Sequence, residues 1–360
     1  MREEHDVDLA SLTTMRVGGP AARLVRVTTT DELVDAVREV DDADEPLLVV
    51  GGGSNLVVAD EGFAGTVVHV QTSGVTVESQ DSCGGASVRV AAGEVWDDLV
   101  LRAVSEGWAG VEALSGIPGS VGATPIQNVG AYGQEVAQTI GQVRVWDRHE
   151  QEVRTFLGSD CRFTYRDSRF KNGDGKGGRY VILDVLFQLR VADLSQPVAY
   201  ADLARQLGVN QGARVPLADA REAVLSQRRR RGMVLDDADA DTWSCGSFFT
   251  NPILSARELS ALEERVANRL GAGGAELPRW PEERGTKTSA AWLIDQAGFR
   301  RGHGLPGPAA LSTKHTLAVT NRGSATTKDV LALAREVRDG VEDAFGVRLD
   351  NEPVLVGDTL

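Results

Sequence analysis

Two stretches of this chain have the composition to bring backbone close to a ligand. Gly51-Gly-Gly-Ser-Asn55 follows the apolar run PLLVV at 46–50, so a buried strand feeds directly into a turn without Cβ obstruction. Consecutive backbone N–H groups in such a turn cradle a pyrophosphate, although a plain tight turn is an equally good reading of five residues. The stretch is neither a Rossmann GxGxxG nor a Walker loop, because the spacing differs and no Lys follows. The second stretch, residues 111–133 (VEALSGIPGSVGATPIQNVGAYG), has little regular periodicity. A long glycine-dense loop inside a compact domain is uncommon unless it binds something. Its glycines at 116, 119, 122, 130 and 133 admit a flat ligand, the small Ser, Ala and Thr residues between them offer polar contacts, and Gln127 and Asn128 present amides able to read ring N and O atoms.

Three isolated side chains also have chemical potential. Arg166, in Tyr165-Arg-Asp-Ser168, sits between expected strands and could grip a carboxylate with both arms of its guanidinium. A surface ion pair is the other reading of a lone Arg. Ser247, in Cys245-Gly-Ser-Phe-Phe-Thr-Asn-Pro252, could be a hydroxyl held on a dry surface or a Ser in a turn before a strand. No His lies near it and no GxSxG elbow is present, so a serine hydrolase is not supported. Glu352 opens a final apolar strand, a position where a carboxylate is ordinarily exposed.

The elements that must position these residues read as follows. A helix opens at Thr30-Asp-Glu, with Leu33, Val34 and Val37 on one face. Strands are expected at 46–50, 65–70, 142–147 and 180–191, the last alternating from Leu183 on, and a helix at 96–106 stopped by Gly107. Four more helices are expected at 216–229, 255–270, 288–297 and 326–345. The GDGKGG run at 173–178 reads as a hairpin or surface loop. A polar, turn-rich stretch at 200–215 suggests a boundary, with domains at 1–205 and 206–360.

Bulk composition narrows the field. With 360 residues, 42% hydrophobic and 25% charged, the chain can bury a sizeable core. A net charge of -14 repels polyanions at long range, so nucleic acid and anionic membrane are poor partners. The N-terminus MREEHDVDLA has no apolar signal region, and no window is apolar enough to span a membrane. Cys83, Cys161 and Cys245 are far apart, form no metal-ligand spacing and suit a reducing, cytoplasmic setting.

Together, GGGSN at 51–55, PGSVGATPIQNVGAYG at 118–133, CRFTYRDSRFK at 161–171, GSFFTNP at 246–252, AWLIDQ at 291–296 and Asn351-Glu-Pro353 resemble the UDP-N-acetylenolpyruvoylglucosamine reductase family, over nearly the whole chain. The likeness implies an α+β fold: a two-subdomain FAD-binding domain of the vanillyl-alcohol-oxidase-like (PCMH) kind over 1–205, split near 70, and a smaller substrate-binding domain over 206–360. It implies non-covalent FAD, NADPH as co-substrate and a UDP-sugar substrate, in a monomer serving peptidoglycan synthesis.

Residue by residue, the resemblance carries flavin contacts to Gly51, Gly52, Gly53, Ser54 and Asn55, then to Ser115, Gly116, Ile117, Pro118 and Gly119. It carries further ones to Gly122, Ala123, Thr124, Gln127, Asn128, Gly130, Ala131 and Tyr132. Arg166 matches the catalytic arginine, Ser247 the proton donor and Glu352 the acid completing the set, with Asp350 as its competitor. Burial beside apolar residues would keep Glu352 protonated. The implied mechanism takes hydride from flavin N5 and a proton from Ser247. Tyr165, Tyr200, Arg231, Asn251 and His315 match substrate contacts, Tyr200 being the covering tyrosine of the family's long form. Arg231 stands where Lys is often found, and Trp280 is the nearest candidate for an aromatic lid although its spacing is off. The rest of the basic run at 228–231 reads as a solvated helix end. A flavin oxidase on the same FAD-binding fold, and a nucleotide-sugar binding protein without turnover, are the competing readings; GSFFTNP and the three retained catalytic residues argue against them.

Overall fold

The computed structural model describes residues 1–360 other than 82, 172–177 and 272–274. The expected loop at 173–178 therefore lies outside the described residues, save Gly178. The chain forms two compact units: Met1–Val7, Ala21–Gly53 and Phe63–Val234 in the first, Asp8–Pro20, Ser54–Gly62 and Leu235–Leu360 in the second. Among the described residues, no helix is long and apolar enough to cross a membrane.

The first unit carries two larger sheets beside a two-stranded one. One has the strand order Arg2–Asp8, Pro20–Val27, Phe63–Val70, Leu47–Val50, and its last three strands run parallel. Helix α1 (Thr30–Asp42) begins where the Thr29 side chain accepts from Glu32 N–H and buries Leu33, Ala36, Val37 and Val40 on one face. Such a cap is worth about 1 kcal/mol. The other sheet is antiparallel, in the order Glu152–Leu157, Ile140–Asp147, Tyr180–Val191, Gly85–Ala91, Val75–Asp81. Its central strand Tyr180–Val191 is buried without interruption from Val181 to Phe187. Alternation appears only near its end, where Leu189 is buried between exposed Gln188 and Arg190. Both faces are covered in the middle, so the apolar run is continuous there. Helix α2 (Trp96–Ser105) shares that core through Trp96, Leu99, Val100 and Ala103.

The expected division at 205 falls inside the first unit. Helix α3 (Ala201–Leu207), which the polar sequence did not announce, and helix α4 (Leu217–Arg230) close a small core with Ala113 and Val198. Leu203, Ala204, Val215, Ala220 and Val224 supply its apolar contacts, and these outweigh the turn-rich composition around them.

In the second unit, helices α5 (Ala256–Leu270), α6 (Ala290–Ala297) and α7 (Thr327–Phe345) lie within two residues of their expected positions. Reciprocal capping boxes at Ser255/Glu258 and Thr326/Asp329 fix the starts of α5 and α7. Their core includes Phe248, Phe249, Leu293, Ile294, Val330 and Val337, together with Met15 and Val17 from the far N-terminus. The terminal strand Val354–Val356 runs parallel to Leu56–Val58, just after the first glycine-rich turn.

Candidate active site

In the first unit the two glycine-rich stretches touch each other. A Cβ on Gly51 would lie 2.1 Å from Ser120 Oγ, and one on Gly52 would lie 2.7 Å from Gly119 Cα. At Gly52 the obstacle is backbone, so a side chain there must displace the second stretch; at Gly51 it must displace the Ser120 hydroxyl. Gly53 takes φ +58°, the left-handed region that favours glycine. Among the described residues, the N–H groups of Gly51, Gly52 and Gly53 donate to no protein acceptor. That is the donor row a pyrophosphate needs.

The second stretch uses its polar side chains on itself. Ser115 Oγ donates to Glu112 O (2.6 Å) and Thr124 Oγ1 to Val121 O (2.8 Å), each closing a short 3-10 turn. Gly116 N–H donates to Asp97 Oδ1 at 2.6 Å. A Cβ on Gly116 would sit 2.7 Å from Leu225 Cδ2, and one on Gly122 2.6 Å from Ala92 Cβ. These glycines let the stretch press against its own scaffold. Ile117, Pro118, Gly119 and Ala123 stay half-buried, whereas Gln127 is buried. Gly130–Ala131 pair with Gln134–Glu135 as a small hairpin.

One arginine in the basic run departs from the solvated-end expectation. Arg229 pairs with Glu222, Arg230 donates to Gln206, and Arg231 lies 3.8 Å from Asp202. Arg228 instead turns inward: Nη2 donates to Met233 O (2.7 Å), and its buried Nε has no partner among the described residues. Asp97, the acid that acts on it electrostatically, is held by both arms of Arg221 at 2.7 and 2.8 Å. Burial drives the Arg228 guanidinium down to about 10. Asp97 shows the opposite balance: burial raises its pKa, but Arg221 and the Gly116 N–H lower it further, and it lies below the usual value. A half-buried arginine with its Nε buried beside Gly116 suits a cofactor with an anionic edge, so the residues present fit FAD. The signal was in the sequence: 221, 224, 225 and 228 share one helical face, and Val224 and Leu225 on it are buried.

Arg166 sits at the tip of a tight hairpin closed by Thr164 N–H to Asp167 O (3.1 Å) and Asp167 N–H to Thr164 O (3.3 Å). Its backbone takes φ +53°, a strained conformation for a non-glycine residue that clusters at functional sites. Nη2 donates to Gly130 O at 2.9 Å, and the guanidinium lies 5.5 Å from the Tyr165 ring centroid. Tyr200 precedes α3, is 52% exposed and meets Tyr132 edge-on at 5.8 Å.

In the second unit, main-chain bonds join the extended segments that carry Ser247 and Glu352, neither of which is itself in a strand. Glu352 N–H donates to Phe248 O (2.9 Å), Thr250 N–H to Asp350 O (3.0 Å), and Phe249 bridges Asn351. Both candidate side chains are half-buried. Asn55 ties the same segment: its Nδ2 donates to Glu352 O (3.3 Å), and its own carbonyl accepts Val354 N–H (2.9 Å). Cys245 is buried and its Sγ lies 3.3 Å from Leu56 O. Burial pushes that thiol up to about 12, with the Glu352 charge adding to the rise, so it is no thiolate nucleophile. Asn251 Oδ1 accepts Ala290 N–H at the start of α6, and His315 Nδ1 accepts Leu317 N–H within its own turn. Trp280 is exposed in the strand Arg279–Glu282.

A model of an FAD binding domain matches residues 21–155, and one of the C-terminal domain of UDP-N-acetylenolpyruvoylglucosamine reductase matches 237–356, starting two residues past the unit boundary at Leu235. The UDP-N-acetylenolpyruvoylglucosamine reductase of Thermobifida fusca is 58% identical over 356 residues, 99% of this chain and 98% of that one. The enzyme of that name from Streptomyces avermitilis is 58% identical over 359 residues, covering 99% and 96%. The crystal structure of the reductase from Thermus caldophilus superposes with a TM-score of 0.64 at 26% identity, over 99% of each chain. With its cofactor-binding half, its C-terminal half and its full length all matched, this chain belongs to the UDP-N-acetylenolpyruvoylglucosamine reductase family.

Proposed function

We infer that this protein catalyses the NADPH-dependent, FAD-mediated reduction of UDP-N-acetylglucosamine enolpyruvate to UDP-N-acetylmuramate in peptidoglycan synthesis. The observation that carries this reading is 58% identity to reductases of that name along almost the whole chain. The glycine cradle of residues 51–53, the close-packed stretch at 115–124 and Arg228 would hold the cofactor. FAD, when bound, supplies the hydride that a protein side chain cannot.

The chain's own residues bind, orient and move a proton. Arg166 grips the substrate carboxylate through its fork and offsets negative charge developing there. Ser247 Oγ gives a proton to the α-carbon, and Glu352 acts as the accompanying acid. Tyr165, Tyr200, Arg231, Asn251 and His315 contact the UDP-sugar. The reading is of a cytoplasmic monomer without a nucleic-acid partner, in keeping with a charge of -14.

The test is the visible spectrum of the purified protein under anaerobic conditions. A yellow protein that bleaches with NADPH and regains colour on addition of the enolpyruvyl UDP-sugar supports the assignment. A colourless protein that still binds UDP-sugar overturns it, as does a flavin that only dioxygen reoxidises.

A further inference from the structure

Three alternate residues of the second glycine-rich stretch hold the Arg166 hairpin, one bond each. Ser168 Oγ donates to Ile126 O (2.7 Å), Asn128 Nδ2 to Thr164 O (3.1 Å), and Arg166 Nη2 to Gly130 O (2.9 Å). The middle rung is unlike the others. Asn128 is 1% exposed and takes φ +43°. Its second Nδ2 hydrogen goes to Glu135 Oε2 (2.8 Å), and its Oδ1 accepts Ala137 N–H (3.2 Å). Both donors of the amide are therefore spent inside the protein. Glu135 in turn pairs across the small hairpin with Gly130, whose carbonyl receives Arg166. One buried amide thus joins the turn that carries Arg166 to the hairpin that catches its guanidinium.

We propose that Asn128 is a positioning residue for Arg166, fixing the Thr164–Asp167 turn on the glycine-rich stretch so that the guanidinium fork stands ready for a carboxylate. The inference rests on reading Arg166 as the carboxylate-binding arginine. Its physical basis is strain: the hairpin holds a non-glycine residue in the left-handed region, a state that persists only where its surroundings over-determine it. Cutting the Thr164 tie lets the turn relax, and a shift near 1 Å in a positioned group costs about 10²-fold in rate. The amide that looked in sequence like a reader of the flavin ring instead aligns the arginine.

The test measures the two half-reactions of the holoenzyme separately by stopped flow. Asn128→Ala should keep its flavin and be reduced by NADPH within about threefold of wild type, while reoxidation by the enolpyruvyl substrate slows by about 10²-fold. Asn128→Asp places a carboxylate against Glu135 and should lower Tm as well. Adding Glu135→Gln lets the new amide donate to the carboxylate introduced at position 128, so Tm should recover, but Thr164 O still lacks its donor and reoxidation should stay slow. Recovery of the rate together with Tm would show that Asn128 serves folding alone and overturn the proposal. Loss of flavin from Asn128→Ala would overturn it too, by making the residue a cofactor ligand. Arg166→Lys, in the same assay, separates the two layers. If it reoxidises normally, the reading of Arg166 fails and this inference with it. If it is slow while Asn128→Ala is normal, only the inference fails.

Discussion

Arg166 and the Ser247–Glu352 pair are held by different kinds of structure. Arg166 stands on a tight turn that its own main-chain bonds close, but that side chains attach to the glycine-rich stretch: one hydroxyl, one amide and its own guanidinium. Ser247 and Glu352 stand on extended segments joined by main-chain bonds, with Phe249 bridging Asn351 and Glu352 N–H bonded to Phe248 O. A turn held by side chains can be loosened by one substitution, because each tie belongs to one residue. Main-chain bonds survive substitution, because their donors and acceptors are common to all residues other than proline. The first region is therefore sensitive to supporting residues, and the second only to the reacting groups themselves.

The largest expected effect tests the second half of that contrast. Ser247→Ala removes a hydroxyl and leaves the bonds of Phe248, Phe249 and Thr250 in place. The variant should fold, bind flavin and bleach with NADPH like wild type. Its reoxidation by the enolpyruvyl substrate should fall by about 10²–10⁴-fold, the usual contribution of a positioned proton donor. Reoxidation at the normal rate would remove Ser247 from the mechanism.

A smaller effect probes the first region without touching a polar group. A Cβ on Gly130 would lie 2.8 Å from Glu135 Cγ, 3.0 Å from Gln134 O and 3.3 Å from Arg166 Nη1. Gly130→Ala must displace the hairpin, the arginine or both by a few tenths of an ångström. Reoxidation should slow by about tenfold, with reduction by NADPH changed less. Equal loss in both half-reactions would mean that the alanine disturbs the cofactor stretch rather than Arg166.

What was legible in the sequence follows the same division. Helices α1, α2, α4, α5 and α7 could be read from caps and apolar spacing because both are local. The unit boundary at Leu235 is not visible in the sequence, because Val215, Ala220 and Val224 find their partners at Ala113 and Val198, which no local pattern shows. The pairing of Val354–Val356 with Leu56–Val58, near the opposite end of the chain, is invisible for the same reason. Among the candidate site residues, Arg166, Ser247 and Glu352 were named through family likeness, since a lone Arg, Ser or Glu carries no periodicity. Arg228 was passed over because its neighbours at 229–231 are solvated and it alone lies on the buried face of α4. Asn128 was noticed, but whether an amide points to a ligand or to the next turn depends on contacts that sequence does not display.

The smallest expected effect compares like with like. Asn55 and Asn128 each donate Nδ2 to a carbonyl in a segment bearing a candidate catalytic residue, Asn55 to Glu352 O at 3.3 Å and Asn128 to Thr164 O at 3.1 Å. The bonds are alike in chemistry and differ in redundancy. The Glu352 segment keeps Glu352 N–H to Phe248 O and Val354 N–H to Asn55 O whatever side chain stands at 55. Asn55→Ala should therefore cost about 1 kcal/mol of stability, the worth of one ordinary hydrogen bond, and slow reoxidation by less than about fivefold. The comparison with Asn128→Ala carries the information. If Asn55→Ala proves as damaging to reoxidation as Asn128→Ala, main-chain pairing does not protect the Glu352 segment, and the contrast between the two regions is lost. If Asn55→Ala weakens flavin retention and spares reoxidation, its side chain serves the cofactor turn, and the redundancy of the segment stands.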